Sequence, residues 1–208
     1  MPLQILDPIC SASELDAMFA PPMSTSIRKV TGRLTPAYRG MIEASPFVVI
    51  ATTGPRGLDC SPRGDAPGFV RVHDDSTLLL PERRGNNRID TLRNLIGDPR
   101  ASLLFMIPGI SEILRVNGRA ALSRNSTLCE SFTVKGAAPK LVIVFAIEQA
   151  MFQCARAIVR SKLWDPATFL VPGRAPTAGR MLADATEGEE GGTEYDAALP
   201  ARIQSTLY

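Results

Sequence analysis

Three short stretches of this sequence concentrate side chains able to bind or transform a ligand. The first is Ser61-Pro62-Arg63-Gly64-Asp65-Ala66-Pro67-Gly68, in which six of eight residues are small or turn-forming. Such a segment offers backbone N–H groups to a ligand, and Arg63 can grip an anion beside them. An ordinary surface loop has the same composition, and both readings stay open. The second is Pro81-Glu82-Arg83-Arg84-Gly85-Asn86-Asn87-Arg88, with three arginines around a glycine and a helical pattern directly after it. Unpaired N–H groups at a helix N-terminus, joined by guanidinium groups, make a natural phosphate site. Arg88 at the first turn opposes the helix dipole and calls for a compensating anion. Neither G-x-x-x-x-G-K nor G-x-G-x-x-G is present, so this is not a known phosphate fingerprint. The third is Arg160-Ser161-Lys162-Leu163-Trp164, which holds the single tryptophan of the chain. Trp164 is read either as core or as the wall of a pocket for a planar ligand.

Several chemistries are excluded by what is scarce. The chain has one histidine, His73, and four cysteines, Cys10, Cys60, Cys129 and Cys154, none in a C-x-x-C pair. Cys/His zinc sites and Ser-His-Asp or Cys-His catalysis therefore lack their parts, and no metal site is expected. His73 lies in His73-Asp74-Asp75-Ser76, a turn composition. No side chain presents itself as a general base, so catalytic residues stay unassigned.

The net charge of +2 hides an asymmetry: residues 184–208 carry −5 and residues 1–183 carry +7. Of the 23 basic residues 19 are arginine, whose planar fork suits phosphate and carboxylate. A near-neutral total and the lack of a recognised motif argue against nucleic acid as a partner. The longest apolar run, 141–147, is far shorter than the ~20 residues that a spanning helix needs, so no membrane segment is expected. The first ten residues, MPLQILDPIC, lack the basic and apolar regions of a secretory signal, and a cytoplasmic location is expected.

Hydrophobic patterning says what must position these stretches. Apolar runs predict strands at 46–53, 59–62, 77–81, 101–107, 113–122 and 140–153, with 68–72 a possible part of the second. Helical spacing predicts helices at 11–20, 35–44, 87–96, 126–134 and 155–164, and a small one near 177–183. Residues 21–34 read as an irregular linker and 186–194 as a mobile Gly/Glu-rich segment. Turns rather than helices separate most strands, so the sheet is mostly antiparallel, and six strands of this kind close best as a barrel. The expected domains are a helical segment at 1–44, a barrel at 45–170, and an acidic, partly mobile extension at 171–208.

Six ordered motifs are similar to a known family: Ser45-Pro46-Phe47; Ser61 through Val70; Gly85-Asn86-Asn87-Arg88-Ile89-Asp90-Thr91; Phe105-Met106-Ile107-Pro108-Gly109; Leu114-Arg115-Val116-Asn117-Gly118-Arg119-Ala120; and Arg160 through Trp164. Together they resemble the pyridoxamine 5′-phosphate oxidase-like family of flavin-binding split barrels, and within it a subgroup of FMN-dependent enzymes of unassigned substrate. The resemblance implies a mostly β fold with peripheral helices, a six-stranded antiparallel split β-barrel. It implies FMN as cofactor, held in two equivalent clefts between the subunits of a homodimer. The cofactor-binding residues it points to are Ser61, Arg63, Gly64, Asp65, Pro81, Asn87, Arg88, Arg115, Arg160, Ser161 and Trp164. Asn87 replaces a cationic position of the oxidases, and Ile113 replaces their flavin-contacting glutamine, with Arg115 on the same strand face as its substitute. Their substrate motif Arg-x-His is missing, which speaks against pyridoxamine phosphate oxidation. The function implied is a flavin-dependent oxidoreductase of unknown small-molecule substrate; the alternative is a flavin or deazaflavin carrier on the same barrel.

Overall fold

The computed structural model describes residues 7–55, 57–171 and 173–208. Two compact units divide at Val30/Thr31. The first contains α1 (Ala12–Met18) and α2 (Ser24–Arg28), neither of which buries a residue. Ser11 caps α1 as its sequence predicts, its hydroxyl accepting from the Glu14 N–H. The five-residue α2 corrects the expected irregular linker. So short a turn, following Pro21-Pro22 and built of Ser, Thr and Ile, gives almost no periodic signal.

In the second unit α3 (Pro36–Ala44) leads into a sheet of seven antiparallel strands. They are β1 (Phe47–Gly54), β2 (Gly57–Gly64), β3 (Arg71–Val72), β4 (Thr77–Pro81), β5 (Arg100–Met106), β6 (Ile113–Ser123) and β7 (Val142–Gln153). Their order across the sheet is β2-β1-β5-β6-β7-β4-β3. The architecture is consistent with a split barrel, but the strands number seven rather than six. The seventh is β3, whose two residues pair with β4 and not with β1 as expected. The His73 turn joins β3 to β4, with the His73 and Asp74 N–H groups both donating to the Thr77 carbonyl.

Alternation decides which side chains are inside. Val48 and Ile50 of β1, Leu103 and Phe105 of β5, Leu114 and Val116 of β6, and Ile143 and Phe145 of β7 are fully buried in one cluster. Ile42 of α3 closes it, as do Leu92 and Leu95 of α4 (Asp90–Gly97). A bulge at Asn117/Gly118 shifts the register of β6 against β7. Gly118 is required there: a Cβ would run into the Ala146 carbonyl oxygen and the Phe145 ring.

The remaining helices depart from the sequence reading at their ends. Helix α4 starts at Asp90, not 87, so Arg88 lies ahead of the first turn. Asn125, not Ser126, caps α5 (Ser126–Glu130), which stops four residues short of the expected 134. Lys162, in the left-handed region at φ 52°, ends α6 (Arg156–Ser161) before Trp164 is reached. The shared helical face expected for Arg160 and Trp164 does not form. The 177–183 helix is present as α7 (Ala178–Ala185), and beyond it lies an unforeseen fifteen-residue helix, α8 (Gly192–Thr206). Pro200 inside it and the glycines ahead of it hide the pattern. Its partner makes up the difference, since Asp196 of α8 accepts from the Gly179 N–H at 2.7 Å and from the Thr177 hydroxyl at 2.5 Å. Among the described residues, no helix is long and apolar enough to cross a membrane.

Candidate functional site

A cleft of about 930 Å³ opens beside the end of β2. Three segments far apart in sequence wall it: residues 59–64 of β2, residues 82–92 running from β4 into α4, and residues 137–141 before β7, with Tyr208 added. The β4–β7 ladder continues past its strands through the Glu82 N–H, which donates to the Leu141 carbonyl at 3.1 Å. That bond brings the second and third walls together. Apolar surface comes from Pro62, Ile89, Leu92, Pro139 and Leu141. The cationic lining, Arg63, Arg83, Arg84, Arg88 and Lys140, outnumbers the acids Asp59, Glu82 and Asp90.

Arg63 is the best-held side chain here. Its Nε donates to Glu82 at 3.2 Å, Nη1 to the Pro62 carbonyl at 3.0 Å, and Nη2 to the Thr91 hydroxyl at 3.4 Å. Thr91 in turn donates to Asp59 at 2.5 Å, and Ser61 donates to the same carboxylate at 2.9 Å. Burial pushes the Glu82 carboxyl above its ordinary value, and the charge and hydrogen bond of Arg63 only partly offset this.

A second pair, Asp65 with Arg83, stands beside the cleft. Arg83 Nε donates to Asp65 at 2.8 Å and its Nη1 to the Phe132 carbonyl at 2.7 Å. The other Asp65 oxygen accepts from the Ala66 N–H and from the Tyr208 hydroxyl, each at 2.8 Å. Burial would raise the Asp65 pKa, but the Ala66 and Tyr208 hydrogen bonds and the Arg83 charge outweigh it and hold the carboxyl below its ordinary value. Arg88, at the mouth, donates to Asp90 at 2.6 Å. The anion that Arg88 calls for is therefore supplied by the chain itself, from the first turn of α4 where an acid suits the dipole. Arg84 and Lys140 are exposed and have no ion-pair partner among the described residues.

Of the residues singled out in the sequence, Ser61, Arg63, Gly64, Asn87 and Arg88 line this cleft. Asp65 stands behind it, holding Arg83 and Tyr208. Pro81 is buried at the end of β4, opposite Val142. Arg115, Arg160, Ser161 and Trp164 are not part of its lining. Arg115 lies between the core residues Leu114 and Val116 and so points to the other sheet face, flanked in register by Leu104 and Met151. Its Nη2 meets the Met151 sulfur at 3.0 Å, and its buried Nε has no partner. Ser161 donates to the Ile158 carbonyl, and the Trp164 indole N–H donates to the Ile110 carbonyl at 2.8 Å.

Asp59, Glu82, Lys140 and Tyr208 are cleft residues that the sequence did not single out as ligands. Glu82 sat in a stretch already marked for its arginines, so its pairing with Arg63 across nineteen positions was the missing link. Tyr208 falls in the terminal Thr206-Leu207-Tyr208 that the resemblance includes, but neither composition nor spacing marks it as a ligand, because a helix absent from the sequence reading brings it there.

The family model described as pyridoxamine 5′-phosphate oxidase matches residues 34–154, which include the whole of β1 through β7. No curated protein is similar enough to match. Among solved structures, a variant of HupZ from Group A Streptococcus is 19% identical, covers 57% of this chain and 98% of its own, and superposes with a TM-score of 0.47. General stress protein 26 of Bacillus anthracis is 14% identical over 54% of this chain and 88% of its own, with a TM-score of 0.41. An F420 reductase is 15% identical over 58% of this chain and 98% of its own, at 0.41.

Proposed function

Because the chain belongs to the pyridoxamine 5′-phosphate oxidase family, we propose that its cleft holds a flavin, specifically FMN, and that the protein is a flavin-dependent oxidoreductase acting on a small molecule. The observation that carries this reading is the combination of a cationic rim with an apolar wall in one cleft of about 930 Å³. That volume lies in the range of ligand-sized pockets. A phosphate monoester is matched by guanidinium groups at Arg63 and Arg88. A planar ring is matched by Pro62, Leu92 and Leu141. When bound, the flavin would supply hydride and electron transfer, while the protein sets position, electrostatics and access.

The chain's own contribution is orientation. The Asp59–Thr91–Arg63–Glu82 network fixes one guanidinium before any ligand arrives, and such pre-organisation lowers the ordering cost of binding. We further propose a homodimer formed through the outward sheet face. This face carries Leu58, 89% exposed, and Phe47, 37% exposed, and Arg115 has an Nε still to be satisfied. Arg115, Arg160, Ser161 and Trp164 would then meet the cofactor held by the second copy.

The test is the visible absorption spectrum of the purified protein, or of apoprotein titrated with FMN. Flavin bands that bleach with NADH or NADPH and recover in air are the expected result. A colourless protein that leaves FMN fluorescence and absorption unchanged would remove the proposal.

A further inference from the structure

We infer that Tyr208 is a ligand-facing wall of the cleft, and that its bond to Asp65 couples the α7–α8 hairpin to retention of whatever the cleft binds. The inference rests on the reading of the cleft as a flavin site. Three observations point the same way. Tyr208 is among the residues that line the cleft although it lies 143 positions from Asp65. Its hydroxyl donates to Asp65 at 2.8 Å, on a carboxylate whose side chain is only 4% exposed and which also takes Arg83. Its ring stands 5.2 Å from the Lys135 ammonium and 5.8 Å from the Arg83 guanidinium, within range of cation–π attraction.

The hairpin itself holds little of the core: α8 buries none of its residues, and α7 buries only Gly179. What joins its two helices is internal, through Asp196. Tyr208, two residues past α8, fastens the hairpin's end to the cleft. An aromatic ring fixed at one edge of a cationic cleft offers a face to a planar ring or a cover to a bound phosphate, and undocking it opens that edge. The hairpin is therefore an arm of the site, with a polar catch at Asp65 and an aromatic tip.

The test uses the full chain, as wild type, Tyr208→Phe and Tyr208→Ala. FMN release is followed by the return of free-flavin fluorescence after rapid dilution of the FMN-loaded protein. Tyr208→Phe keeps the ring and loses the catch, and should release FMN about 3- to 10-fold faster. Tyr208→Ala loses both, and should release it roughly tenfold faster or more. Unchanged release in both variants overturns the inference. Amide exchange without FMN supplies a second measurement: residues 62–68 and 178–206 should exchange faster in Tyr208→Phe than in wild type. Equal exchange in the two proteins also overturns it. If the wild type takes up no FMN but the exchange difference is present, the flavin reading fails while the coupling between hairpin and cleft stands.

Discussion

Two carboxylate–guanidinium pairs, Glu82–Arg63 in the wall of the cleft and Asp65–Arg83 with its carboxylate behind it, have carboxyls shifted in opposite directions. Glu82 with Arg63 and Asp65 with Arg83 have similar contact distances, 3.2 and 2.8 Å, and similarly shielded guanidinium groups, 16% and 15% exposed. Yet the Glu82 carboxyl is raised and the Asp65 carboxyl lowered. The arginines do not explain this; the extent of desolvation and the other donors do. Glu82 is desolvated and has Arg63 as its only hydrogen-bonding counterweight. Asp65 is desolvated too, but the Ala66 N–H and the Tyr208 hydroxyl are added to Arg83. An ion pair by itself does not keep a buried carboxylate comfortable; the balance between its desolvation and the N–H and O–H groups aimed at it decides.

Removing Arg63 should have the largest effect on stability. Arg63→Ala leaves a shielded Glu82 without a partner and strands the Thr91 contact. Breaking a fully buried pair costs about 3–5 kcal/mol, and this partly exposed one should cost about 2–4 kcal/mol. For a chain of this size that lowers Tm by roughly 4–16 °C, read by thermal unfolding. Adding Glu82→Gln to Arg63→Ala should restore part of the loss. A double variant as unstable as the sum of the single ones would show that the two side chains are not coupled.

Glu82→Gln alone sharpens the comparison through pH. A carboxyl raised in the folded state gives stability that is complete below its unfolded value of about 4.3 and is lost as pH rises through the folded value. The variant has no such loss. Its stability relative to wild type should therefore climb as pH rises from about 4 and then level off. Denaturant unfolding at a series of pH values measures this difference, and a difference that falls with pH would reverse the assignment.

How far these pairs were legible in the sequence depends on separation along the chain. Strands β1, β4, β5, β6 and β7 were readable because each carries a short apolar run bounded by turn residues. Arg63 and Arg88 were readable as cleft residues because small, turn-forming neighbours mark them. Nothing local announces that Glu82 meets Arg63, or that Tyr208 meets Asp65; those bonds exist only once the β4–β7 ladder and the α7–α8 hairpin have formed. α8 was missed because Pro200 interrupts its pattern, while β3, inside the 68–72 stretch, was assigned to the wrong neighbour because two residues fix no register. Arg115 shows the converse. The family resemblance points to it as a ligand contact, but the face it occupies follows from register, which places it between Leu104 and Met151 outside the cleft.

Tyr208→Phe should shift the acid side of the stability profile by a smaller amount. Asp65 is lowered in the folded state, so its contribution is present above its unfolded value of about 3.9 and is lost as pH falls through the folded value. Without the Tyr208 hydroxyl one of the opposing donors is gone, and the Asp65 carboxyl should move back toward its ordinary value. The wild type should be the more stable protein at neutral pH and lose that margin below about pH 4. Acid unfolding curves that keep a constant separation between the two proteins down to pH 2 would remove Tyr208 from the Asp65 balance.

The smallest effect on stability is expected at Arg88. Its pairing with Asp90 is short, 2.6 Å, but the arginine side chain is 80% exposed, so water and salt screen most of the attraction. Arg88→Ala should leave Tm within about 1 °C of wild type. Its role at the mouth of the cleft is a different matter. If Arg88 turns from Asp90 to an incoming phosphate, the lost charge-assisted contact should weaken FMN binding by about 10- to 100-fold. Arg63→Ala must lower both stability and affinity, because Arg63 is fixed in the wall before a ligand arrives. Arg88→Ala should lower affinity alone. Asp90→Asn separates the two further, since it frees Arg88 from its internal anion and should leave FMN binding as tight as in wild type or tighter. Fluorescence titration and thermal unfolding of the three variants decide this, and an Arg88→Ala protein that loses stability while binding FMN normally would make the Arg88–Asp90 pair structural.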